Sequence, residues 1–81
     1  MSERLYRGRA GLFDLTDRND GTRAVHQHGR RLGEIRPAVG GWTAWRLDGD
    51  VHRPVSLPPK VYPDPGDAGA AVVTATSRHR L

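Results

Sequence analysis

The sequence predicts a small α+β domain, an antiparallel sheet of three to four strands with one C-terminal helix packed on it. Three observations lead there. Gly40-Gly41 and Asp48-Gly49 cut residues 29–57 into three short stretches, and both pairs tolerate the positive φ angles that two-residue hairpin loops demand. Four of the six prolines then fall between Pro58 and Pro65, which marks an extended connector. Beyond it Ala68, Ala71, Val72 and Ala75 recur at i, i+3, i+4 and i+7, one narrow face of a helix running to about Arg78. Eighty-one residues make one domain, burying roughly 60–65% of the surface the unfolded chain exposes.

In chain order, residues 1–10 are arginine-rich, have little to bury and are expected to fray. Leu12-Phe13-Asp14-Leu15 offers an edge strand, and residues 16–22, with Asn19-Asp20-Gly21, make a turn. Residues 1–22 thus read as a partly flexible segment ahead of a domain spanning 23–81. Arg23 to His28 alternates as a strand and pairs with the next through Gly29-Arg30. Leu32 and Ile35 lie three apart, so a bulge at Gly33 is needed to put both on one face. Pro37 lacks a ladder donor and is expected to end the pairing. In the next strand Trp42, Ala44 and Arg46 share one face, and Thr43, Trp45 and Leu47 the other. Trp42, with small Ala44 beside it, is the tryptophan expected beneath the helix. Val51 to Leu57 alternates as the last strand, with Pro54 confining it to an edge or a bulge. Asp67 is the expected N-cap, and Arg78, His79 and Arg80 suit the negative end of the helix dipole.

Composition bounds the function. The chain has no cysteine, which removes disulfides, thiolate metal sites and cysteine nucleophiles. No apolar run approaches the roughly 18 residues needed to span a bilayer, and the first residues lack the apolar core of a signal peptide. A cytoplasmic protein with no membrane partner is expected. A net charge of +4 and a pI near 10.7 favour acidic partners, nucleic acid above all. Twelve of the thirteen basic residues are arginine, and a GC-rich genome would give that bias without any such partner.

Candidate chemistry is sparse. His26-x-His28 has a spacing a metal chelate can use, with His52 or His79 to extend it, but no cysteine and few carboxylates support such a site. No metal and no cofactor are expected. Asp17 to Gly21 resembles the start of a calcium loop, yet the glycine comes one position early and no glutamate follows in place. The carboxylates sit mainly in turns, and no nucleophile elbow or phosphate loop occurs, so the chain is not expected to be an enzyme. The remaining constellation is Trp45 beside Thr43 on the open face of the sheet, with Arg30, Arg31, Arg36 and Arg53 on that face or its rims. A three-stranded sheet of this kind can enter the major groove. The competing reading has Trp45 covered by residues 5–15, or by a protein partner or second copy joined through the sheet face or edge.

Gly29-x-x-Leu32-Gly33-x-Ile35, Gly41-Trp42-x-Ala44 and Asp48-Gly49, followed by a helix with Ala68 and Ala71-Val72, resemble the AP2-type domains of plants and the arm-binding domains of phage integrases. The resemblance spans residues 29–76 and rests on turn glycines and one aromatic. It implies a sheet whose open face is the binding surface, with Trp45, Arg31 and Arg53 as contacts. Two features depart from that pattern: the inserted Pro58–Pro65 connector, and Arg46 at a position expected to be apolar. The expected function is that of a non-enzymatic nucleic-acid-binding accessory or regulatory protein of a high-GC bacterial mobile element.

Overall fold

A computed structural model describes residues 3–8 and 11–78. Seven strands and one helix follow in order among them: β1 (Glu3–Gly8), β2 (Gly11–Asp17), β3 (Arg23–Gln27), β4 (Arg30–Ala38), β5 (Gly41–Asp48), β6 (Val51–Pro54), β7 (Val61–Tyr62) and α1 (Pro65–Arg78). The first six form an antiparallel meander in sequence order, and β7 pairs with β5 on the edge that β6 also uses. The expected α+β class, with one C-terminal helix on an antiparallel sheet, is what the chain adopts. The sheet is larger than three to four strands because it begins at Glu3. Residues 3–8, expected to fray, pair with β2 from Glu3↔Thr16 to Gly8↔Gly11. The boundary expected at residue 22 does not divide the fold, for Phe13 and Leu15 of β2 lie in the core. β2 is therefore an inner strand.

The hairpin glycines turn the chain as expected, but each loop from β3 to β6 sits one residue from its expected place. The β3–β4 loop is His28-Gly29, since Gln27 pairs with Arg30, and both residues have positive φ, 54° and 75°. That is the two-residue pattern whose twist matches the flanking strands. At the β5–β6 hairpin the loop is Gly49-Asp50, with Asp48 opposite Val51. Pro37 does not end β4, which continues through Pro37↔Trp42 to Ala38↔Gly41. The Ala44 carbonyl accepts from the Val55 amide, so Ala44 is turned away from β4. Its partner Ile35, and Pro37 two residues on, therefore direct their backbone nitrogens towards β3. β3 pairs no further than Arg23↔Ile35, so the ladder loses nothing at Pro37.

The core joins the helix to one sheet face. Phe13, Leu15, Val25, Leu32, Ile35 and Ala44 meet Ala68, Val72 and Val73 of α1, with Trp42, Val55 and Tyr62 packed at the margin. Leu32 reaches this face through a bulge. Val25 pairs with Gly33 and His26 with Arg31, which leaves Leu32 as the extra residue. The bulge thus falls one residue before Gly33. The helix comes close because the contact points are glycines: a Cβ on Gly69 would lie 2.5 Å from Phe13 Cε2, and one on Gly33 would lie 2.9 Å from Val72 Cγ1. The buried helix face is Ala68, Gly69, Val72 and Val73, rotated from the face the alanines alone implied. Asp64, not Asp67, caps the helix. Its carboxylate accepts from the Gly66 amide at 2.8 Å and its carbonyl from Asp67 and Ala68, with Pro65 at the first helical position where its missing N–H costs nothing.

Candidate functional site

The face of the sheet turned away from α1 is organised around one carboxylate. Cross-strand pairing aligns Thr16, Ala24, Glu34, Trp45 and Pro54 in one row across β2 to β6. Glu34 stands in the middle of it, 5% exposed, between small Ala24 and the Trp45 indole. A carboxylate so buried must be matched by donors. Arg36 Nε donates to Oε2 at 2.6 Å; Arg18 Nη1 and Arg31 Nη2 donate to Oε1 at 3.2 and 3.4 Å. His52 Nε2 lies 3.5 Å from the same Oε1 and 3.4 Å from Arg31 Nη2. The three guanidinium side chains keep 35–39% of their surface. Three cations on one anion leave two positive charges unbalanced within the cluster. Burial is the main cause holding the His52 pKa below its ordinary value, and the flanking arginines add to it against the pull of Glu34. The fold therefore favours the neutral imidazole of His52 more than solvent does.

Trp45 is half-buried beside this cluster. Its Nε1 donates to Thr43 Oγ1 at 2.9 Å, and the Arg36 guanidinium lies over its ring at 3.9 Å from the centroid. One guanidinium thus bonds the carboxylate along its edge and stacks on the indole with its face. Both Trp45 and Glu34 fix its orientation, which free arginine side chains lack.

Of the residues expected at a site, the fold brings Arg31, Arg36 and Trp45 together on the open face. Arg30 stands exposed at the start of β4 beside the β3–β4 loop. Arg53 is directly opposite Arg46 and bonds Asp48 Oδ2 at 2.9 Å, which puts it on the helix side of the sheet. The sequence reading missed Glu34 and Arg18. The alternation Glu34, Arg36 on one strand offered a hint of the first. Nothing marked Arg18, which comes 16 residues earlier in the chain and reaches Glu34 only through the β2–β3 turn. That turn is built as expected: the Asp20 carboxylate accepts from the Thr22 hydroxyl at 2.6 Å and its amide at 3.0 Å. These two bonds hold the Asp20 carboxyl below its usual pKa. His26 lies in β3 while His28 occupies the loop with positive φ. Among the described residues no three His, Asp or Glu gather as metal ligands.

Fold and site together define a small meander-and-helix domain in which the sheet face that no described element covers carries an arginine-ringed glutamate. Comparison of the chain with protein-family models, with curated proteins and with solved structures gave no match. No helix among the described residues is long and apolar enough to cross a membrane.

Proposed function

We propose that this protein binds nucleic acid without catalysis, through the open face of its sheet. The carrying observation is the cluster of Arg18, Arg31 and Arg36 on Glu34, which holds three partly exposed guanidiniums with two charges in excess on one face. Guanidinium forks suit phosphate oxygens, and a guanidinium already stacked on an aromatic ring presents its outer plane to a base or a sugar. Trp45 contributes by holding Arg36, since its own ring face is occupied. Arg30 extends the positive surface along β4 towards the loop. Arg53 lies on the other side and takes no part.

Phosphate neutralisation by three arginines gives a log–log salt slope of about −3 on duplex DNA and a fall of roughly fortyfold in affinity from 50 to 200 mM salt. Fluorescence anisotropy with labelled duplex DNA and single-stranded RNA at these salt concentrations measures both quantities. Arg31→Ala should lower affinity and flatten the slope by about one unit, whereas Arg53→Ala should change neither. Absence of binding to either polymer at low salt would reject the reading. A concentration-dependent dimer that buries the open face would replace it with self-association.

A further inference from the structure

Arg46 is the one charged residue on the helix-facing side of β5 between Trp42 and Asp48. Its side chain is only 17% exposed, and its single ion-pair partner among the described residues is Asp48 Oδ2 at 3.8 Å. That oxygen is already bonded to Arg53 at 2.9 Å, so one carboxylate serves two guanidiniums and serves Arg46 poorly. No buried side-chain nitrogen among the described residues is left without a partner, so the remaining Arg46 donors face the groove beside it, where a ligand carboxylate would bond them more strongly than water does. The space in front of it is open. The bundle of α1 over β2 to β5 leaves a groove of about 780 Å³ between the outer side of the helix and the β5–β6–β7 edge. Among the described residues Arg46, Lys60 and Arg78 line it against one carboxylate, that of Asp67, and its walls are small or apolar, with Ala71, Ala75, Val55 and Tyr62 among them. Lys60 lies over the Tyr62 ring, 5.1 Å from its centroid, and makes no salt bridge among the described residues.

We propose that this groove docks an acidic segment of a partner protein, one carboxylate side chain meeting Arg46 and an adjoining apolar side chain lying against Ala71, Ala75 and Tyr62. Charge complementarity selects the occupant: three cations to one anion exclude a basic segment. The narrow alanine face lets a peptide backbone approach closely, as a bulkier helix would not. The groove lies on the opposite side of the sheet from Glu34, so its occupancy is independent of the proposed nucleic-acid surface. A protein built this way holds a nucleic acid on one face and an acidic partner on the other.

The test is an amide NMR titration of the full chain with a short capped peptide of glutamates around one leucine. Its glutamine counterpart and sodium phosphate at matched ionic strength serve as controls. The acidic peptide should shift Ala71, Ala75 and Tyr62 and leave Glu34 and Trp45 unmoved. Arg46→Gln should weaken it about tenfold or more, the order expected when a charged hydrogen bond is lost. Should Arg46→Gln unfold, Ala75→Glu and Lys60→Gln read the same site from its wall, and both should weaken the peptide. No shifts with the acidic peptide, equal binding of the glutamine peptide, or the same shifts from phosphate alone would each overturn the proposal, as would displacement of the perturbation to the open face.

Discussion

Trp42 and Trp45 stand on the same strand, each with a guanidinium on its ring, Arg23 at 4.7 Å and Arg36 at 3.9 Å, yet they belong to faces made by different physics. On the Trp42 side the helix supplies hydrocarbon, and the face closes by apolar burial with glycines at the points of closest approach. On the Trp45 side no described element supplies it. There the surface is closed by arginine stems and one buried carboxylate, with the guanidinium ends left in contact with water. The first face is tuned by volume, the second by charge. Burying a carboxylate is tolerable on the second because three guanidiniums bond it while each side chain keeps about a third of its surface in water. A sheet with one helix thus has a stabilising face and a face whose charges stay available to a ligand.

The largest effect should come from breaking the apolar face. Phe13→Ala removes a ring that is 2% exposed and packed against Gly69, and should cost about 3–5 kcal/mol. That is a large part of the total stability of a domain this size. Urea unfolding measures it, and a loss below 1 kcal/mol would show that the helix does not rest on β2.

Glu34→Gln probes the other face and should separate stability from binding. Loss of the carboxylate leaves three guanidiniums facing a neutral amide, and should cost about 2 kcal/mol, moderated by solvent around the arginines. The same change raises the charge of the open face by one, so nucleic-acid affinity should rise. Lower stability with unchanged affinity would make the cluster a purely structural device.

Gly69→Ala sharpens the comparison, because helix propensity and packing oppose each other there. Alanine favours the helix by about 1 kcal/mol, but its Cβ would overlap the Phe13 ring, and overpacking of this kind costs about 1–3 kcal/mol. A net loss of up to about 2 kcal/mol is expected from the same two principles. A gain in melting temperature would mean the helix can lift from the sheet without penalty.

The smallest effect belongs to His52. Its pKa in the fold lies below the ordinary 6.5, so the unfolded chain takes up the proton first as pH falls. Stability should decline as pH drops from about 6.5 through the folded value, then level off for this group. His52→Gln, which cannot charge, should remove that part of the acid slope in urea titrations between pH 7 and 5. An unaltered slope would place the acid sensitivity elsewhere.

The open-face reading was only partly legible in the chain. Alternation along β5 correctly divided Trp42, Ala44 and Arg46 from Thr43, Trp45 and Leu47, since side chains alternate whatever the partner strands do. Arg53 was misplaced among the open-face candidates although its pairing was legible: a loop at Asp48-Gly49 would set it opposite Ala44, and the actual loop at Gly49-Asp50 sets it opposite Arg46, both on the helix side. Glu34 looked like any surface carboxylate of a polar strand. Its burial arises from neighbours on β3 and β5 and from an arginine in a distant turn.

Local chemistry by itself determined that this chain forms hairpins at its glycines, carries a proline connector and ends in a small-residue helix. Those features depend on φ preferences, missing N–H groups and side-chain volume, all properties of single residues or close neighbours. The tertiary structure decided the rest: that residues 3–17 enter the sheet, that Leu32 turns inward at a bulge, and that Arg46 is left in a groove with half a partner. These depend on which strands lie side by side, and pairing energy is a property of two segments at once, invisible in either one alone.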